Sequence, residues 1–307
     1  MGGPDTLEDV PAFLYNLFSD RDIIKLGPAL LQKPLARLIS RRRAAKSKAI
    51  YSKIGGGSPL LKITTDQAQE LQKRLSATHD CEVDVAMRYW QPRADEALQK
   101  LCNRDIDILV ALPLYPHYTK ATSGSSLKDL RSVHKQLVPD IPLVEIPSWP
   151  TQEKYLQALA AKIRQGARKF GDESFQLVYS AHSLPVTFIQ EGDPYVEELK
   201  KTIQGLEGIT GIQGQLCYQS RSGPVEWLSP STSETIEALG SEGCKNILMV
   251  PVSFVSDHVE TLYEINMLFR DKAADLGMRL YSTESLNSDP LFIDGLRDLV
   301  VATLEQQ

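Results

Sequence analysis

Four cysteines in 307 residues are few, and Cys81, Cys102, Cys217 and Cys244 lie far apart with no C-x-x-C pair. That spacing excludes a disulfide framework and the usual zinc and iron–sulfur ligand patterns, and it suits a reducing compartment. Long apolar runs are also lacking: none approaches the roughly 20 residues that span a bilayer. Strong charge of one sign is missing too, and a net charge of −5 argues against a general nucleic-acid binder. The opening Met1-Gly2-Gly3-Pro4 carries no signal-like or transit-like segment. These absences lead us to expect an intracellular protein, soluble or peripheral to a membrane.

What is present is an ordinary globular composition, 42% apolar and 24% charged. The length suits one large domain or two of about 150 residues. Helical apolar spacing marks 7–18 (Leu7, Val10, Phe13, Leu14, Leu17, Phe18). Such a stripe is either core or, given its aromatics, an apolar lip facing a membrane. A second helix over 29–45 ends in Arg41-Arg42-Arg43, either a solvated face or a fork for carboxylates and phosphates. Next comes Ile54-Gly55-Gly56-Gly57-Ser58-Pro59, which lacks both G-K-[ST] and G-x-G-x-x-G and reads as a loop before a helix capped at Thr64 or Thr65.

From there the chain alternates. Strands are predicted at 83–90, 106–115, 142–149, 175–181, 213–219, 246–255 and 278–282, with helices at 93–102, 125–137, 151–170, 193–206, 231–242, 259–275 and 290–304. Regular β–α alternation implies mostly parallel sheets flanked by helices, an α/β fold. The helix at 151–170 is the natural crossover between two similar, Rossmann-like halves. We place the first half at 1–148 plus 285–307 and the second at 149–284.

Chemistry gathers at strand ends, where α/β proteins open their ligand sites. His182 ends the first strand of the second half. Tyr218-Gln219-Ser220-Arg221 ends another, and Asp257, His258, Glu260 and Glu264 follow the strand 246–255. Asp257 to Glu260 also fits a capping box, an N-cap with its acid three residues on. Glu260 and Glu264 are i,i+4 neighbours, a like-charge pair that structure alone would not favour.

Seven motifs then resemble one family in its own order. They are Gly2-Gly3-Pro4, the Gly55 to Pro59 loop, Leu112-Pro113-Leu114-Tyr115-Pro116 with Ser123-Gly124-Ser125-Ser126, and Ser180-Ala181-His182-Ser183-Leu184-Pro185. Gly192-Asp193-Pro194-Tyr195, Tyr218 to Pro224, and Phe254 to Leu262 complete the set. The chain resembles ferrochelatases, which insert Fe²⁺ into protoporphyrin IX to make protohaem. The resemblance implies two chelatase-type halves with a porphyrin cleft between them, and catalysis by His182 and Glu260. It implies metal contact from His182, Glu260, His258, Asp257 and Glu264. Porphyrin contact is implied for Met1, Arg42, Arg43, Tyr51, Ser58, Arg88, Tyr89, Gln219, Ser220, Arg221 and Trp227.

The partners implied are protoporphyrin IX and Fe²⁺, the iron being substrate, with peripheral membrane contact through the Leu7 to Phe18 lip. No permanently bound cofactor is expected. Lys120 stands where cluster-bearing members have a cysteine and no cysteine-bearing extension follows, so no iron–sulfur cluster is expected either. The family's first strand precedes Gly-Gly-Pro, which sets the expectation that it is missing here upstream of Met1. The alternatives are a coproporphyrin or other-metal chelatase, or a non-catalytic tetrapyrrole-binding homologue. Compartment follows source: cytoplasm if bacterial, chloroplast or mitochondrion if eukaryotic.

Overall fold

The computed structural model describes residues 1–101, 104–221 and 223–306; the expected Cys102 end of one helix and Ser222 lie outside them. The chain divides into two compact units. The first comprises Met1–Leu114, Tyr118–Ser148 and Leu296–Gln307, and the second Tyr115–His117 and Trp149–Gly295. Return to the first unit thus occurs at Leu296, eleven residues beyond the expected 285.

In the first unit, α1 (Val10–Ser19) turns Val10, Phe13, Leu14 and Phe18 inward, all under 9% exposed. Four of the six apolar residues of the stripe at 7–18 are therefore core, while Leu7 and Leu17 are half-buried. Helix α2 (Gln32–Lys53) runs eight residues past the predicted end. Its first residue, Gln32, is buried and organises the preceding loop: Nε2 donates to the carbonyls of Phe18 and Ile24, and Oε1 accepts from Leu26 N–H and Arg21. The large apolar residues exposed in this region are Leu30, Leu31 and Leu38.

Helix α3 (Leu60–Leu75) has Pro59 at its N-cap position, so Thr64 and Thr65 lie inside it rather than at its cap. The glycine loop before it packs on the chain's own start. Ser58 N–H donates to Pro4 O at 2.8 Å, and a Cβ on Gly57 would come within 2.0 Å of Asp5 O. Only glycine allows that approach.

Helix α4 (Ala94–Leu101) follows, then β1 (Leu109–Ala111), α5 (Ser125–Leu137) and β2 (Leu143–Glu145), with β1 and β2 parallel. A π-helical turn, Lys120–Gly124, leads into α5. The predicted strand at 83–90 is not formed. Its N–H groups go elsewhere: Val83 to Gln72 Oε1, Met87 to Pro92 O and Tyr89 to Met1 O. β-type composition supplies a strand's side chains but not its partner.

The second unit contains α6 (Glu153–Ala167), β3 (Gln176–His182), α7 (Val186–Gln190), α8 (Tyr195–Thr210), β4 (Gly214–Gln219), α9 (Thr232–Ser241), β5 (Asn246–Pro251), α10 (Arg270–Asp275) and β6 (Arg279–Ser282). Helix α11 (Pro290–Leu304) begins in this unit and ends in the first. The four strands are parallel in the order β4-β3-β5-β6. All six residues of β5 are buried, as a central strand covered on both faces requires. One face packs Val178, Ile247, Met249 and Leu280 against Ile236, Ile265 and Phe269. Each such side chain contributes about 1.5–3 kcal/mol on burial.

The helix predicted over 259–275 is two pieces, a ten-residue π-helical segment Glu260–Phe269 and then α10. π-Helical backbone is rare and concentrates at functional sites.

Candidate functional site

The sheet register of the second unit assembles the site. β3 and β4 pair in parallel with His182 opposite Gln219, so both side chains leave the sheet at the C-terminal ends of neighbouring strands. The His182 backbone is held on both sides. Its N–H donates to Ser253 Oγ, and its carbonyl accepts from the Tyr195 hydroxyl at 3.0 Å.

From the other direction, the π-helical segment after β5 presents Glu260. Its Oε2 lies 2.8 Å from His182 Nδ1, 3.2 Å from Gln219 Nε2 and 3.0 Å from Ser220 Oγ. Ser180 Oγ donates to Gln219 Oε1 at 2.7 Å, which turns the amide so that its NH₂ faces the carboxylate. Ser220 Oγ also lies 2.7 Å from Glu264 Oε2. One connected line therefore runs His182–Glu260–Ser220–Glu264.

The charges in this line pull apart. Burial opposes ionisation of Glu260, but the His182 charge and hydrogen bond outweigh it and hold the carboxyl down at about 2. His182 is desolvated as well, yet Glu260 raises its pKa above the ordinary value. Burial, reinforced by the charge of Glu260, pushes Glu264 up to about 7. The Glu260 side chain is 18% exposed and His182 38%, so this ion pair is partly open to solvent.

His258 differs. Its Nδ1 donates to Ser256 O at 2.9 Å, Nε2 has no partner, and burial lowers its pKa. It is a neutral imidazole whose free lone pair lies on Nε2, close enough to Glu260 and His182 to respond to both charges.

Two expectations fail here. Glu260 does not close the expected capping box: the Asp257 N–H donates to Asn287 Oδ1 instead, and a capping box is formed by Ser231 with Glu234 at the start of α9. Asp257 does not join the His182 cluster. Its Oδ1 accepts from Thr261 and Ser285 and its Oδ2 from Asn287, and it lines a separate cavity of about 760 Å³ with Ile265 and Asn266. Adjacent residues at a helix start face different ways, so proximity in sequence misplaced it. Among the described residues no group of three or more His, Cys, Asp or Glu is arranged to hold a metal ion.

The remaining expected contacts divide between the units. Arg221 turns to Leu228 O and Glu234, and Trp227 bridges Pro185 with its indole N–H partnerless. In the first unit, Arg88 and Tyr89 both bond Asp20 Oδ2, at 2.9 and 2.7 Å, and Ser125 donates to the same oxygen at 2.6 Å. Tyr89 is 1% exposed, so its phenol is spent inside this knot. Ser58 is pressed on Gly3, and the Tyr51 hydroxyl lies near the same glycine. Met1 O accepts from Tyr89 N–H. Arg43 lies over the Phe18 ring at 5.5 Å, and Arg42 is exposed on α2. Sequence reasoning missed Ser180, Tyr195, Ser253 and Asp20. Tyr195 and Ser180 stood inside quoted motifs but carried no charge that would single them out.

Comparison with known proteins fits this geometry. The family model described as Ferrochelatase matches residues 1–304. A ferrochelatase of Desulfotalea psychrophila is 58% identical over 98% of this chain and 94% of its own length. One from Geotalea uraniireducens is 46% identical over 100% and 97%. Among solved structures, SirB from Bacillus subtilis with Fe³⁺ shares the fold, with a TM-score of 0.58 at 12% identity over 79% of this chain and 90% of its own. The chain belongs to the ferrochelatase family, lyases that insert a metal ion into a porphyrin.

Proposed function

We propose that this chain inserts Fe²⁺ into protoporphyrin IX to form protohaem, the terminal step of haem biosynthesis, and that the second unit's His182 cluster carries the chemistry. The supporting observation is the His182–Glu260 pair at the strand ends, extended through Ser220 to Glu264.

Insertion must remove two pyrrole protons and strip water from the ion. Two imidazoles serve the first need, His182 once its proton has passed to the carboxylate line and His258 through its free Nε2. Imidazole and carboxylate also suit Fe²⁺ and hold it loosely enough to release it. Glu260 and Glu264 receive the ion and balance its charge. A site complementary to a bent ring stabilises the transition state rather than the flat substrate.

The test is anaerobic insertion, followed by Fe²⁺-dependent loss of porphyrin fluorescence, with protoporphyrin and coproporphyrin in parallel. His182→Ala should reduce the rate by at least about a hundredfold, the usual worth of a positioned acid or base. A near-normal rate in a folded variant would sink the assignment.

Peripheral membrane contact finds better support on the turn before α2 and along α2 than at 7–18. Leu30 is 92% exposed, with Leu31 and Leu38 beside Lys33, Arg37, Arg41 and Arg42, all exposed. No acid occurs between Asp22 and Asp66. Apolar side chains among unopposed cations suit an anionic bilayer surface. Among the described residues no helix is long and apolar enough to cross a membrane. Co-sedimentation with phosphatidylglycerol vesicles should be lost in Leu30→Asp/Leu38→Asp, and vesicles of neutral lipid should bind neither form.

A further inference from the structure

Ser220 is the residue of this cluster that the fold holds against its own preference. Its φ is 66°, and the only other non-glycine residue with positive φ among those described is Asn287. Asparagine visits that region readily, whereas serine seldom does. Such backbone persists where the surroundings enforce it, and it then points to a function. The enforced conformation sets the hydroxyl between two carboxylates, 3.0 Å from Glu260 Oε2 and 2.7 Å from Glu264 Oε2. A hydroxyl has one proton, so it donates to one oxygen at a time while keeping both beside a single atom. Left alone, like charges one turn apart would separate.

The resemblance placed Ser220 beside the porphyrin. We propose instead that it is a positioning residue for the divalent ion. Its hydroxyl ties Glu260 to Glu264, so that the two carboxylates take up the metal as a pair. This rests on the function proposed above, because it assigns the pair to the ferrous substrate. The side chain need touch neither the ion nor the ring.

Two substitutions separate the hydroxyl from the backbone. Ser220→Ala removes the hydroxyl and keeps the strained conformation, whereas Ser220→Gly removes it and favours that conformation. Both should raise KM for Fe²⁺ about tenfold, the factor one hydrogen bond to a charged group supplies, with the porphyrin KM within about twofold. Calorimetric affinity for Zn²⁺ alone should fall by the same factor. In a Glu264→Ala background, Ser220→Gly should change nothing further, because the partner it acts through is gone.

Wild-type behaviour of Ser220→Gly would overturn the proposal, since the backbone alone would then explain the residue. A raised porphyrin KM with iron unaffected would overturn it too, returning Ser220 to ring contact. The zinc measurement requires no porphyrin. A protein whose zinc affinity depends on Ser220 but which inserts no iron would overturn the proposed function and leave the tie standing.

Discussion

Asp20 in the first unit and Glu260 in the second are alike on paper, each a carboxylate with three side-chain donors on one oxygen. Their donors differ in kind. Asp20 is bound by an arginine, whose charge is permanent, by a serine, and by a tyrosine whose pKa burial drives far up. Nothing in that set exchanges a proton near neutral pH. Glu260 is bound by an imidazole and, through Ser220, linked to an acid whose pKa is about 7. The first arrangement locks a loop and a helix together; the second can move protons and accept an ion. The number of hydrogen bonds does not separate structural from chemical carboxylates. The titration range of the donors does.

Paired substitutions would break this comparison if it is wrong. Asp20→Asn leaves Arg88 partly buried with its ion pair weakened, and truncating one partner of such a pair costs about 3 kcal/mol. Thermal unfolding should come several degrees lower. Glu260→Gln keeps the shape and a hydrogen-bonding group beside His182, which can release its proton where Arg88 cannot, so the melting temperature should fall less. Its insertion rate should fall at least about a hundredfold, as expected when the charge partner of an acid–base group is lost. Equal losses of stability in the two variants, or an active Glu260→Gln, would erase the distinction.

The two units also differed in how far the sequence could be read. The strands of the second unit stood out because they alternate regularly with helices, so 175–181 and 213–219 fall within a residue of β3 and β4. The stretch 83–90 carries the same kind of residues and forms no ladder, since pairing depends on a partner that local composition cannot reveal. His182 and Glu260 were legible as polar residues at strand ends. The tie from Glu260 to Glu264 was not: Ser220 adopts a backbone conformation that its residue type disfavours, and π-helical winding leaves no distinct apolar period. Asp20 was invisible because its partners lie 68 and 105 residues away.

A smaller effect sharpens the contrast, because a second buried imidazole in the same unit lacks a carboxylate. His117 is 2% exposed, and its Nε2 lies 2.8 Å from Thr202 Oγ1. That hydroxyl already donates to Pro150 O, so the imidazole must be the donor, with Nδ1 left bare. Burial lowers its pKa from 6.5 to about 3. As pH falls below 6.5 the unfolded chain therefore takes up the proton first. The folded form loses about 1.4 kcal/mol per pH unit through this group until about pH 3. His182 has the opposite sign: raised by Glu260, it contributes stability below 6.5 and loses it as pH rises through its folded value. Glu264 and His182, both raised, gain stability over the pH range in which His117 loses it, so the His117 contribution is read from its substitution. In urea unfolding, the difference in stability between pH 7.5 and 5 should shift by about 2 kcal/mol in favour of pH 5 in His117→Gln, which keeps an N–H donor for Thr202. If the difference is unchanged, His117 is not the group that titrates. Burial in this unit would then no longer explain why one imidazole stays neutral while the one facing Glu260 holds its charge.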